Sequence, residues 1–548
     1  MRWLIKNKNL LLVVFLLFIN WLILRPVLAP DLFFPAHDST WLIRLQQFDK
    51  AVSFGQFPPR LAPDMAYGYG YPLFKYYAPL FTLLSWLVFK LVGDYALAVE
   101  IAIFLSNLVG SLGMFYLGKK IWGFWGGVIA SVSFTFLPFR ALEVYVRGAF
   151  SENLAINLLP FWFYFLISII RNKSGKRSAS GFIFFSLALL LAHNLYLIVL
   201  ACFLPVLAGY FLITARPLKK KLLTVLSLLA LVLLLGSWYW LPMIIGLKDI
   251  SVFTEAAKTV FSDHFVYLEQ LWNWNWGFGG SAPGLADGMS FKVGKLQLIF
   301  AFLGLIFGFR LARRRNELVV FLAIFLISLF FSLSVSYFFW EKLPFLAIVQ
   351  FPWRFLGLLT LAVALFSGGL VVFEFIRSPI RTWLTVAAVV LATLLLTYFN
   401  LKYFAPQTVF RKARDYSLDR EKVYQSAQNV AEYYPAGVVN PPEVKPDWPL
   451  LPADDQSAQV VLETPFKLIF RLGEPGEVVV NRFYFPGWRL VSDDKAVEIK
   501  AEEESGRILF LAPWAGEYQL SFASTVEEKI AYALTALGAI ILAVFLFY

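Results

Sequence analysis

Apolar runs close to membrane-spanning length recur along this chain, at about 10–28, 95–117, 121–138, 153–170, 181–193, 195–214, 222–246, 296–311, 317–335, 353–374, 383–402 and 527–548. A bilayer core of roughly 30 Å takes about 20 such residues as a helix. No water-soluble fold hides this many. Hydrophobic residues are 59% of the sequence and charged residues 15%, whereas soluble domains carry about 45–50% and about 25%. The expected class is a polytopic α-helical membrane protein of about twelve spans, not a string of soluble domains.

The remaining composition fits that class. Aromatic residues make up 18% of the chain, and some are expected in belts at headgroup level. The net charge of +12 needs no nucleic acid, because basic cytoplasmic loops raise it by themselves. A single cysteine, Cys202, excludes disulfides and cysteine metal sites. Three histidines, His37, His193 and His264, argue against a histidine-rich metal site. The stretch from Leu10 to Leu28 is long enough to be a retained signal anchor.

One further apolar run, Ala78–Val92, decides the topology. The basic connectors are Met1–Asn9, Gly118–Lys120, Arg171–Arg177, Arg216–Lys221, Arg310–Arg315 and Arg377–Arg381, and the positive-inside rule wants them on one side. That parity holds when Ala78–Val92 is a half-inserted, interfacial helix. Both termini are then cytoplasmic, in a bacterial inner membrane. The external segments become 29–94, 139–152, His193-Asn194, 247–295, 336–352 and 403–526. Three blocks are expected: a transmembrane domain at 1–402, an external domain at 403–526 and a last helix at 527–548. Short β-rich runs at Gln459–Leu462, Phe466–Leu472, Glu477–Phe483, Arg507–Leu511 and Glu517–Phe522, broken by turns such as Glu474-Pro475-Gly476, predict a small β-sandwich in the external block.

Charge is scarce, so the charges on the outer face are informative. His37-Asp38 opens the first external loop; Asp38 is either a helix N-cap or a functional carboxylate. Pro58-Pro59-Arg60 and the Tyr69 loop, Tyr67-Gly68-Tyr69-Gly70-Tyr71-Pro72, suit a sugar- or lipid-facing cleft or a plain interfacial anchor. Arg140 and Arg147, seven apart, share a helical face, with Glu143 an i,i+4 partner of Arg147 and Glu152 close behind. That cluster is either a salt-bridged helix end or a phosphate grip, since a guanidinium is a planar fork for phosphate. His193-Asn194 sits between two spans, where polar residues are functional candidates or a helix-breaking turn. Arg354, in Phe351-Pro352-Trp353-Arg354, either snorkels or points a cation inward. Asp263, His264 and Glu269 precede the Trp272–Gly280 loop, which suits a lid. There is no phosphate-binding P-loop, GxSxG elbow or HExxH zinc motif.

His37-Asp38, Pro58-Pro59-Arg60, Gly68-Tyr69-Gly70-Tyr71-Pro72-Leu73-Phe74, Arg140 through Glu152, His193-Asn194 and Phe351-Pro352-Trp353-Arg354 together resemble the 6-pyruvoyl-tetrahydropterin synthase-related bacterial membrane proteins. Tyr484-Phe485-Pro486-Gly487-Trp488 resembles the external tail of YfhO-like membrane proteins. The family label is not an activity, because a pterin synthase is a soluble enzyme with a histidine-bound metal. The layout is also similar to GT-C-class glycosyltransferases, which implies a polyprenyl-phosphate sugar donor and chemistry on the external face. One departure is Lys75, standing where a neutral Asn is expected; it either contacts phosphate or snorkels.

The expected activity is transfer of a sugar from a polyprenyl-phosphate donor to an envelope glycan, lipid or protein. Asp38 is the expected catalytic base. Arg147 and Arg354 are the first phosphate ligands, followed by Arg140, Arg60, Lys75 and His193, with His37, Glu152 and Tyr69 as further substrate contacts. No cofactor is assigned, and a divalent cation is left open; Glu143, Glu152 or Asp263 would have to join Asp38 to hold one. The rivals are a lipid-linked oligosaccharide transporter and a non-catalytic assembly protein.

Overall fold

The computed structural model describes residues 8–28, 32–171, 175–254, 260–309, 314–375, 381–411, 419–451 and 458–547. Among them, seven helices are long and apolar enough to cross a membrane: Tyr95–Trp122, Phe150–Ile170, Leu218–Asp249, Arg315–Ser332, Pro352–Val371, Trp383–Tyr403 and Val526–Phe547. The number rises to nine if two bent pairs each count as one span. Phe124–Thr135 and Pro138–Val146 meet at 44°, and Lys176–Ala192 and Asn194–Ala201 at 116°.

This count is lower than the expected twelve. The difference falls on helices that stop early: Asn9–Leu24, Leu204–Thr214 and Lys295–Gly308, which with Leu80–Val92 have 10–17 residues. At about 1.5 Å per residue even the longest reaches only about 25 Å. Two breaks have local causes. Pro138 disfavours helical backbone at Leu137, and His193 is extended, at φ −162° and ψ 116°. Leu80–Val92 has 13 residues and ends at Gly93 with φ 71°, too short to span, as the interfacial reading requires.

Four of the six basic connectors meet at one end of the bundle. The Arg314 Nε–H donates to the Lys120 carbonyl at 3.1 Å. Arg171 and Arg314 pair with Glu317 at 2.8 and 3.2 Å, and the Lys221 ammonium donates to the Ile169 carbonyl at 2.7 Å. The connector residues at 1–7, 172–174, 310–313 and 376–380 lie outside the described residues.

At the opposite end stands a sandwich of two antiparallel sheets. One runs Leu450–Leu451, Gly476–Phe483, Arg507–Ala512, Lys500–Ala501; the other runs Ala458–Thr464, Lys467–Leu472, Gly516–Phe522, Trp488–Ser492, Lys495–Val497. Alternation along Lys467–Leu472 and Gly516–Phe522 turns Leu468, Phe470, Tyr518 and Leu520 inward, where Phe470 stacks on Tyr518 at 5.6 Å. All five predicted β runs are strands; Trp488–Ser492 and Lys495–Val497 were not foreseen. Between membrane and sandwich, residues 419–434 bind the Tyr69 loop. The Tyr67 N–H donates to the Tyr424 carbonyl at 3.1 Å, Tyr71 Oη donates to the Val430 carbonyl, and Tyr76 stacks on Tyr433 at 5.8 Å.

Candidate functional site

Two loops make the floor of the site. The backbone N–H groups of His37 and Asp38 donate to the carbonyls of Val146 and Arg147 at 2.9 and 2.8 Å. Gly148 allows this approach. It has φ +62°, and a Cβ there would meet the Asp38 carbonyl oxygen at 2.5 Å and the Ala36 Cβ at 2.8 Å.

Asp38 is not the N-cap. The helix starts at Trp41 behind Thr40, which makes no side-chain cap bond. The Asp38 carboxylate instead accepts from Thr40 Oγ1 at 2.8 Å and from the Thr40 N–H at 3.2 Å, and pairs with Arg44 at 2.9 Å. Arg44 lies one turn into the same helix and sits 4.2 Å over the Tyr77 ring. It was missed because Trp41–Ser53 reads as an ordinary amphipathic helix.

Beside this pair lies a buried charge cluster. Arg147 donates to Glu143 at 2.5 Å and to Glu152 at 2.8 Å, with its guanidinium 4.3 Å over the Trp353 ring. Glu152 also faces Arg354 at 3.6 Å and His193 at 4.0 Å. Those last distances allow attraction but no hydrogen bond. Arg354 Nε, His193 Nδ1, Glu152 Oε1 and Glu143 Oε2 are buried without a hydrogen-bond partner among the described residues. Native folds rarely leave such atoms unpaired except where a ligand or function claims them. Gln350, which lines the same space, holds φ +65°, a strained conformation of the sort that clusters at functional sites.

These groups border one cavity of about 1050 Å³. Its polar wall includes His37, Asp38, Arg44, Arg147, Glu152, His193 and Arg354. Its apolar flank runs along Leu195, Leu197, Ile198, Trp240 and Ile244 on two membrane helices. Asp263, His264 and Ser281 close it from the 247–295 loop, and Glu432 and Tyr433 from the segment that precedes the sandwich. Glu432 and Tyr433 carried no signal in the sequence; their loop is brought there by the Tyr71 and Tyr76 contacts.

Four predicted residues are elsewhere. Arg140 was expected to share a face with Arg147, but a π-turn over Leu142–Val146 separates them; Arg140 points into the bundle and donates to Asn107, Asn157 and the Phe134 carbonyl. Arg60 pairs with Glu528 at 3.2 Å and donates to Tyr532 Oη at 2.7 Å, binding the last helix to the first loop. Lys75 lies against Gly246, where burial lowers its pKa while Glu528 and Asp249 act the other way. Tyr69 packs on Phe483 at 5.5 Å and accepts the Phe483 N–H through its carbonyl at 2.8 Å, anchoring the sandwich.

All three histidines reach the cavity, each with a different neighbour: His37 with the Phe278 carbonyl at 3.0 Å, His264 with Ser281 at 2.9 Å, and His193 with Glu152. Among the described residues no three His, Cys, Asp or Glu side chains are grouped to hold a metal. Of the carboxylates named for one, Asp38 is engaged by Arg44 and Glu143 and Glu152 by Arg147, while Asp263 stands apart on the 247–295 loop. This donor set does not fit a divalent cation.

Fold and site thus define a polytopic helical membrane protein with a charged cavity beneath a small β-sandwich. The family model "6-pyruvoyl-tetrahydropterin synthase related domain; membrane protein" matches residues 74–404, more than half of the chain, and the chain belongs to that family. No curated protein matches it. Among solved structures, arabinofuranosyltransferase AftD from Mycobacteria is similar at 18% identity over 76% of this chain, with a TM-score of 0.45. A mutant form of AftD gives 15% over 74%, with a TM-score of 0.47. This chain spans 28% of the AftD length. ArnT from Cupriavidus metallidurans, bound to undecaprenyl phosphate, is similar at 13% identity over 78% of each chain, with a TM-score of 0.35.

Proposed function

We propose that the chain is a GT-C-like glycosyltransferase that moves a sugar from a polyprenyl-phosphate donor to a cell-envelope acceptor. The observation that carries this reading is one cavity where the Asp38 carboxylate, the guanidiniums of Arg44, Arg147 and Arg354 and an apolar membrane-helix flank meet. The flank suits a polyprenyl chain, and the cations suit its phosphate. In the reaction the acceptor hydroxyl oxygen bonds to the anomeric carbon while the bond from that carbon to the phosphate oxygen breaks. The electron pair leaves with polyprenyl phosphate, and the acceptor proton passes to Asp38 and then to water. Arg44 orients Asp38, and Arg147 and Arg354 neutralise the charge growing on the leaving phosphate. No step runs through a metal.

Charge supports the orientation in this reading. The positive-inside rule favours a cytoplasmic place for the end where Lys120, Arg171, Lys221 and Arg314 meet, and so a cavity on the outer face of the membrane.

The test uses full-length protein in nanodiscs with defined polyprenyl-phosphate sugars. Asp38→Asn is expected to lower transfer by about 10²–10⁴-fold, the usual worth of a general base, with binding of undecaprenyl phosphate retained. Wild-type rates in the variant would remove the base role. Wild-type protein that carries the donor across the bilayer without releasing polyprenyl phosphate would replace the enzyme with a transporter.

A further inference from the structure

Three lysines gather on a patch of rings at the cavity end of the bundle, outside the cavity itself. The ammonium groups of Lys292 and Lys402 lie 5.4 and 5.3 Å from the centre of the same Tyr403 ring. Lys295 donates to Asn273 Oδ1 at 2.8 Å and lies 5.8 Å from the Trp272 ring. Trp276 packs on Tyr403 at 4.8 Å and completes the patch. None of the three lysines lines the cavity.

Their depth is set by the helices that carry them. The span Trp383–Tyr403 ends at Lys402 and Tyr403, and Lys295 opens the apolar helix Lys295–Gly308. Gln297, on that helix, donates to the Phe136 carbonyl at 2.9 Å, which fixes the cluster to the cavity end. The ammonium groups therefore sit where hydrocarbon gives way to headgroups, and the rings beside them are those favoured at that level.

The charge is not balanced from within. Among the described residues no carboxylate forms an ion pair with any of the three lysines. Lys292 is half-buried, and burial together with Lys402 and Lys295 lowers its pKa. Like charges held this close repel, and an anion among them would relieve it. Plain snorkelling accounts for one lysine at a helix end, but not for the convergence of two on one ring from distant segments. The positive-inside bias also leaves such a cluster unexpected on the face opposite the basic connectors.

We propose that Lys292, Lys295 and Lys402 form a binding site for the phosphate of an anionic phospholipid headgroup, with Trp272, Trp276 and Tyr403 against its glycerol region. Basic pockets between membrane helices bind lipid phosphates in this manner. The site is independent of the transferase reading.

Native mass spectrometry of the full-length protein, titrated with phosphatidylglycerol or phosphatidylcholine, tests it. Replacing all three lysines by Gln is expected to weaken phosphatidylglycerol binding by roughly a hundredfold, and Lys402→Gln alone by about fivefold. Replacing all three by Arg is expected to restore binding, and phosphatidylcholine binding is expected to stay the same throughout. Unchanged phosphatidylglycerol binding in both Gln variants overturns the proposal. So does equal loss in the Gln and Arg triples, since charge would then not be what is read. Displacement of phosphatidylglycerol by inorganic phosphate at similar affinity would make this a soluble-anion site and overturn the lipid assignment.

Discussion

The Asp38 backbone N–H donates to the Arg147 carbonyl across 2.8 Å, so the carboxylate and the guanidinium proposed to act on opposite ends of one reaction hang from a single backbone junction. Movement of either loop moves both groups.

That junction depends on Gly148. Gly148→Ala forces a side chain into φ +62° and sets its Cβ 2.5 Å from the Asp38 carbonyl oxygen. Strain and overpacking together are expected to cost about 2–4 kcal/mol. Thermal unfolding in detergent would show it as a lowered Tm, and transfer activity is expected to fall further than stability alone explains.

Arg147 and Arg354 differ in how they are held. Arg147 is paired with Glu143 and Glu152, whereas Arg354 donates from Nη1 to the Val349 carbonyl and its Nε has no hydrogen-bond partner among the described residues, which leaves that N–H to grip a phosphate. Arg354→Ala is expected to weaken undecaprenyl phosphate binding by about 10–100-fold, from a charge-assisted bond of about 1.5–3 kcal/mol. Tryptophan fluorescence titration measures it. Arg147→Ala is expected to impair folding as well, because it leaves two buried carboxylates without their cation.

Arg60 and Glu528, at 2% and 3% side-chain exposure, are a structural pair outside the cavity. Glu528→Gln is expected to destabilise by about 3–5 kcal/mol, since it strands a buried cation. The double variant with Arg60→Met should recover most of that loss. Urea unfolding of the single and double variants gives the coupling, and an additive result would show that the two side chains do not interact.

Burial holds His264 below the ordinary imidazole value of 6.5, with Asp263 and Asp287 acting the other way. The unfolded chain therefore takes up the proton first as pH falls. The His264 contribution to stability is complete above about pH 6.5 and declines below it, towards the folded value. Limited proteolysis of the 261–289 loop is expected to speed up as pH drops through that window. His264→Asn should flatten the response; an unchanged pH profile would remove His264 as its source.

The membrane class and the grouping of four of the basic connectors were legible because they follow from composition and charge order, which need no knowledge of packing. The strands of the sandwich were legible for a similar reason: period-2 alternation is local. The span count was less so, since a run of apolar residues does not reveal where backbone turns extended at His193 or breaks ahead of Pro138. Asp38, Arg147, Glu152, His193 and Arg354 stood out by being charged or polar at a membrane boundary, and they border one cavity. Arg140 and Arg60 stood out by the same criterion and do not.

Sequence by itself determined that this chain lives in a membrane and that its rare charges need partners. Tertiary structure alone decided which partners. A buried charge must be neutralised by whatever the fold brings within a few ångströms. For Arg60 that is Glu528, nearly the whole chain away, and for Arg44 it is Asp38, just ahead of the helix that carries it. Pairings of this kind have no spacing rule, so the same residue type becomes a structural tie in one place and a cavity wall in another.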